Sequence, residues 1–280
     1  MIPPIADRFV AGESAAEVLE HVSRLNGRNV GAIINLLGEH YGERPPVRSD
    51  AAEYRALAGD ISRSNLDACL SVKPSQLGLD LGEDVFREEL EGVVDAAAEH
   101  DVFVWIDMED HTTTDATLDA FEALAHEYDG GVGVCVQANL KRTRTDLERL
   151  ADVPGKIRFV KGAYDEPAAI AYTDSERVNR EYEALLEYAF EHFHDGPTIA
   201  VGSHDDRMLE RAIALHDEYG TDVEFQLLMG VREQRQYDLA AEYDVYQYVP
   251  YGGRWLSYFS RRVMERKENL RFALRAVLGR

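Results

Sequence analysis

Lysine is nearly absent from this 280-residue chain: only Lys73, Lys141, Lys156, Lys161 and Lys267 occur. Arginine carries most of the positive charge, and Asp plus Glu outnumber Lys plus Arg by 52 to 30. A net charge of −22 leaves no basic footprint, which argues against a nucleic-acid partner. The only two cysteines, Cys69 and Cys135, lie inside the apolar runs LDACLSV and GVGVCVQ. They read as buried strand residues, and a disulfide framework is excluded. No run of about 18 apolar residues is present, so no membrane-spanning helix is expected. The start, MIPPIADRFVAG, has neither the charged opening nor the long apolar stretch of a signal peptide. A cytoplasmic protein is therefore expected. Acid-rich, lysine-poor surfaces suit proteins kept hydrated in high salt, but an ordinary acidic protein has the same composition, and the two stay open.

At 45% hydrophobic residues the chain can bury a sizeable core. Eight short apolar runs recur: 32–39, 68–74, 102–109, 131–138, 157–164, 198–205, 223–230 and 245–252. Patterns with apolar residues three and four apart lie between them, among them DVFREELEGVVDAAAEH, DATLDAFEALAHEY, SERVNREYEALLEYAFEHF and DDRMLERAIALHDEY. Strands alternating with helices imply parallel pairing, and eight of them predict an α/β fold closed as a (β/α)8 barrel. An open doubly wound sheet is the alternative, which the strand count disfavours. Residues 1–30, with the helical stretch AAEVLEHVSRL, form an N-terminal extension, and 31–280 form the barrel domain.

Barrel chemistry sits where strands end. The residues closing the runs are Glu39, Lys73, Asp107 with Glu109, Gln137, Lys161, Ser203 with His204, Gln226 and Tyr248. All but the last are charged or strongly hydrogen-bonding, and two of the scarce lysines are among them. Each lysine also has a plain reading as a snorkelling surface cation. The stretch DMEDH (107–111) puts Asp107 and Glu109 on one strand face, as a metal site would. No HExxH or cysteine pairing supports one, so no metal is expected. GGVGVC (130–135) has its glycines before a strand, whereas a Rossmann loop follows one. No GxSxG elbow, P-loop or EF-hand loop occurs.

Near the C-terminus, YFSRRVMERKEN as a helix places Tyr258, Arg261, Arg262 and Glu265 on one face and Leu256, Phe259 and Val263 on an apolar stripe. Alone this describes a surface helix with internal Arg–Glu pairs. Other strings stand in a fixed order ahead of it: RFVAGES (8–14), LLGE (36–39), SVKPSQLGL (71–79), WIDMED (105–110), VQANLKRT (136–143), RFVKGAY (158–164), SHD (203–205), VEFQLLMGV (223–231) and YVPYG (248–252). Together with YFSRRVMERKENL (258–270), the set closely resembles the proline dehydrogenase family, from residue 8 to about 270.

The resemblance implies a (β/α)8 enzyme that uses FAD to oxidise L-proline to Δ1-pyrroline-5-carboxylate and passes electrons to a quinone. That acceptor leaves open a peripheral contact with the inner face of the membrane. It implies that Arg261 and Arg262, on a helix across the barrel mouth, clamp the substrate carboxylate with help from Lys73; guanidinium forks suit that group. It makes Asp107 and Arg158 catalytic, with Arg158 near the flavin N5. Met108 through its backbone, Gln137, Lys161, Gly162, Ala163, Ser203, His204 and Gln226 fall on flavin-contacting positions. Gly162 and Ala163 are small, as close approach of a ring demands. Tyr164, Leu228, Tyr248 and Tyr258 match the walls around the proline ring, Glu39 a loop glutamate that pairs with a clamp arginine, and Glu265 a residue near the arginines or the amine. The sequence departs from the family at Asp165, where a longer aromatic or basic residue is usual, and at SHD, which keeps a hydroxyl at Ser203. The segment before residue 8 is short, which leaves oligomeric state open. A rival reading makes Lys161 or Lys73 the Schiff-base nucleophile of a barrel aldolase.

Overall fold

The computed structural model describes residues 7–193 and 196–256. Its sheet is a closed barrel of eight parallel strands in sequence order: β1 (Gly31–Leu36), β2 (Ala68–Val72), β3 (Val104–Ile106), β4 (Val132–Gln137), β5 (Lys156–Val160), β6 (Thr198–Val201), β7 (Val223–Leu228) and β8 (Asp244–Tyr251). β8 closes onto β1 with the register Ile33 opposite Tyr248. Each predicted run overlaps one strand, so the (β/α)8 expectation is met and the open sheet is excluded. The helix expected over the mouth lies outside the described residues.

The helices are α1 (Ala15–Asn26), α2 (Arg44–Arg63), α3 (Glu83–Ala98), α4 (Thr114–Glu127), α5 (Thr143–Leu150), α6 (Ser175–His192), α7 (Asp206–Tyr219) and α8 (Glu233–Leu239). Local chemistry explains their starts. Ser14 and Glu17 form a capping box on α1, and the carboxylates of Asp174 and Asp205 cap α6 and α7. α2 opens with Pro45 and Pro46, where the missing N–H groups cost nothing.

Two apolar layers result from the period-2 alternation of the strands. The larger lies between sheet and helices and takes the outward residues, such as Ile34, Leu70, Phe159 and Phe225. The smaller fills the barrel interior with Ile33, Cys69, Trp105 and Ala200, joined by Phe103, Tyr246 and Tyr248. Both cysteines are buried and free. α1 packs against β1 and β8: Val18, Val22 and Leu25 are buried, and the His21 ring meets the Gln247 Oε1 on the outer face of β8 at 2.9 Å. Thus α1 takes a place in the outer helical layer beside β8.

Candidate active site

Asp107 follows directly on β3, and its carboxylate gathers four partners. The Ser71 hydroxyl donates to Oδ1 at 2.7 Å, the Tyr248 hydroxyl to Oδ2 at 2.7 Å, and Lys73 Nζ to Oδ2 at 3.1 Å. The fourth is the Nη2 of Arg158, which donates to Oδ1. Their positions follow from strand parity. Ser71 and Lys73 are two apart at the end of β2, Trp105 and Asp107 at the end of β3, and all four alternate with residues of the outer layer. Arg158 comes from β5 and spans β4, where the facing residue is the small Cys135. Its guanidinium lies 4.9 Å from the Trp105 ring centroid, a cation–π contact from within the barrel.

The electrostatics are those of a buried, coupled cluster. Burial alone would push the Asp107 carboxyl up; the charges of Lys73 and Arg158, with the Tyr248 and Ser71 hydrogen bonds, outweigh it and hold the group well below the carboxylate range. Burial would lower Lys73, but Asp107 and Glu109 raise it instead. Arg158 is raised as well, Asp107 overcoming the burial cost. Tyr164 is pushed up by burial and by Glu109, with Lys73 opposing, which sets it within electrostatic reach of the same cluster. Leu228 is paired with Tyr248 across β7 and β8.

Glu109 does not share a face with Asp107, because β3 ends at Ile106. Its carboxylate turns to Ser75, accepting from the backbone N at 2.7 Å and from the hydroxyl at 2.6 Å. Burial raises its pKa. Asp110 accepts from Thr112 N, and His111 pairs with Glu166 at 2.5 Å. The DMEDH side chains therefore diverge, and among the described residues no group of three His, Cys, Asp or Glu side chains is placed to hold a metal.

The residues expected to meet a flavin lie along the ends of β3 to β7. Met108 sends its side chain into the outer core. Gln137 is buried and donates to the Glu109 carbonyl at 2.8 Å. Lys161 pairs with Asp205 at 2.5 Å, Ser203 Oγ accepts from Asp205 N, and His204 Nε2 accepts from Leu228 N at 3.1 Å. Gly162 has φ 104°, and a Cβ there would run into the Asn139 amide, so its own backbone and this neighbour require the glycine. Ala163 is exposed. Gln226 sits deeper than a rim residue, accepting from Arg158 Nη1 at 3.0 Å. Tyr258, Arg261, Arg262 and Glu265 lie outside the described residues, and so does any clamp partner of Glu39.

Sequence reading had passed over Ser71, Trp105, Asn139 and Glu224. Three of them sit two places before a residue it had singled out, the spacing that returns a strand to the same face. The alternations S-V-K, W-I-D and E-F-Q carry that signal.

The proline dehydrogenase family model matches residues 18–275. The chain belongs to that family. It is 35% identical to Proline dehydrogenase 1 of Bacillus subtilis subsp. natto over 277 residues, 98% of this chain and 90% of the relative. It is also 35% identical to the Proline dehydrogenase of Deinococcus radiodurans over 282 residues, with the same coverage. Among solved structures, proline utilization A from Bdellovibrio bacteriovorus, inactivated by N-propargylglycine, superposes with a TM-score of 0.85 at 22% identity. That match covers 93% of this chain but 32% of the other, and the one from Corynebacterium freiburgense reaches 0.80 at 21% identity, covering 96% and 32%. These two likenesses speak for the fold. Family membership makes the chain an oxidoreductase of proline catabolism on a (β/α)8 barrel.

Proposed function

We propose that the chain oxidises L-proline to Δ1-pyrroline-5-carboxylate with FAD as its cofactor and a quinone as the following acceptor. The observation that carries this is the convergence of Lys73, Arg158 and Tyr248 on one carboxylate, Asp107, at the barrel mouth. Two cations sharing a single anion leave positive potential for a carboxylate substrate. When bound, the flavin supplies the two-electron acceptor for the hydride that leaves proline C5.

The residues on the β3–β7 side fit such a group. Asn139 Oδ1 is buried with no partner among the described residues, beside the left-handed backbone of Gly162. A ring edge bearing N–H donors would satisfy that acceptor. Gln137, Lys161, Gly162, Ala163, Ser203, His204 and Gln226, with the Met108 backbone, would hold it, and Arg158 would place a cation beside its reducible ring. Lys73, Arg261 and Arg262 hold the substrate carboxylate; Tyr164, Leu228, Tyr248 and Tyr258 wall the ring; Glu265 faces the arginines or the amine. Asp107 orients Lys73, Tyr248 and Arg158 at once. Pre-set geometry of this kind lowers the ordering cost of reaction.

The aldolase reading is not favoured. A Schiff-base lysine must be neutral to attack, yet Lys73 is held charged by Asp107 and Lys161 is paired with Asp205. Among the described residues no helix is long and apolar enough to cross a membrane. A quinone acceptor in a cytoplasmic enzyme then calls for peripheral contact with the membrane face.

The deciding experiment is the visible spectrum of the purified protein. Flavin bands that bleach on adding proline support the reading; colourless protein, or trapping of a keto substrate by borohydride, defeats it. Arg261→Ala and Arg262→Ala should each weaken proline binding by about 10- to 150-fold while flavin content is kept. Wild-type affinity in both would remove the clamp from the proposal.

A further inference from the structure

β6 presents small residues to the barrel interior. Ala200 faces the interior between Arg158 on β5 and Glu224 on β7. Gly202 comes next, and a Cβ there would lie 2.9 Å from Val160 and 3.3 Å from the Arg158 side chain. Through this gap β5 and β7 exchange contacts across β6. Arg158 Nη1 donates to Gln226 Oε1 at 3.0 Å. Gln226 Nε2 donates to Glu224 Oε1 at 2.5 Å, and Lys156 Nζ meets Glu224 Oε2 at 2.6 Å. Arg158, Glu224 and Gln226 are 5%, 5% and 4% exposed. Lys156 lies at the first position of β5, with its Nζ 5.1 Å from the Phe103 ring centroid. A continuous polar line therefore runs from the N-terminal end of the barrel to Asp107 at the mouth.

Its chemistry is directional. A glutamine amide has a donor end and an acceptor end that exchange on a half-turn, whereas guanidinium only donates. Only the carbonyl of Gln226 can serve Arg158. Glu224, with one oxygen taken by Lys156, accepts the Gln226 N–H on the other and so blocks the half-turn. We propose that Glu224 is a positioning residue for the reaction: it locks Gln226 with its carbonyl toward Arg158 and so fixes one of the hydrogen bonds that orient the Arg158 guanidinium. Asp107 supplies another. The consequence for turnover rests on the functional reading above; the orientation of Arg158 does not.

The test uses Glu224→Gln, which keeps the volume but can either donate or accept, and the double variant Lys156→Met with Glu224→Gln, which removes the charge pair together so that no buried charge is left alone. Three readouts are taken. Steady-state kinetics should show kcat lowered by about 10- to 100-fold with KM for proline within about threefold, as expected for a misplaced reacting group. The side-chain 15N spectrum of the arginines, with Arg158 assigned through Arg158→Lys, should show its Nη signals averaged in both variants and resolved in the wild type. Melting temperature separates this from a stabilising ion pair, which would move Tm and leave kcat per folded molecule unchanged. Resolved Nη signals and near wild-type kcat in the folded variants overturn the proposal, and so does loss of the fold in both, which would make Glu224 a stability element. A wild-type protein without flavin, or with flavin that proline does not reduce, defeats the functional reading alone, because the Arg158 spectrum still reports on Glu224.

Discussion

Arg158 on β5 donates to Asp107 at the end of β3, reaching over β4 at Cys135. Among the described residues Asp107 is the one anion to which both Lys73 and Arg158 donate, so its removal strands two buried cations. Stranding a buried charge costs roughly 3–5 kcal/mol. Asp107→Ala should therefore lower stability by about that amount, measured by urea unfolding, and reduce kcat/KM by 100-fold or more. Stability within about 1 kcal/mol of the wild type would show that the cations relax into solvent instead.

The same carboxylate sets an acid limit. Its folded-state pKa lies below its ordinary value near 4. A depressed acid contributes stability that is complete above the unfolded pKa and is lost as pH falls towards the folded one. The stability advantage of the wild type over Asp107→Asn should be constant from about pH 7 to 5 and shrink below about pH 4. Melting curves of both proteins across that range check it; an advantage that is flat down to pH 3 would contradict it.

Tyr248 has two separable parts. Its hydroxyl donates to Asp107 at 2.7 Å, and its ring, fixed by that bond, faces the Lys73 ammonium. Tyr248→Phe should cost about tenfold in kcat/KM, one hydrogen bond to a charged group, while preserving the preference for proline over hydroxyproline. Tyr248→Ser should relax that preference, because steric exclusion of a ring hydroxyl goes with the ring. An unchanged ratio in the serine variant would take Tyr248 out of the substrate wall.

Several surface arginines are already engaged. Arg142 and Arg149 beside α4 bind Asp115, Asp119 and Glu122, and Arg207 of α7 binds Glu176 and Glu183 of α6. With 52 acids against 30 bases, the remaining carboxylates repel one another. Molar salt shortens the screening length to about 3 Å. Tm should rise by roughly 5 °C or more between low and molar KCl; no change would mean that the repulsion is already dispersed.

The barrel was legible because its strands are short β-branched runs separated by amphipathic helices, and that rhythm survives in any one sequence. Three helices were not named in advance, each for a physical reason. α2 starts on two prolines and carries Gly59, while α5 and α8 span only eight and seven residues, with few buried side chains to mark a period. At the site, the strand ends name Lys73, Asp107, Gln137, Gln226 and Tyr248, and the structure brings Lys73, Asp107 and Tyr248 into contact. They suggest a rim position for Gln226, whereas the structure buries it against Arg158. They also suggest Glu109 beside Asp107, which extends a period-2 face past the point where β3 stops. Depth along a strand is decided by the stagger between strands, and one chain read alone does not display that stagger.

The place of α1 beside β8 has a bearing on how the outer wall closes. In an alternating barrel each strand hands the outer wall on to the helix that follows it. Here the outward face of β8, at Gln247, is met by His21 from the helix that precedes the first strand. The wall is thus finished by residues made before it was begun. Closing the wall at Gln247 therefore draws on residues that the chain has already laid down before β1, and its order in space is not its order in sequence.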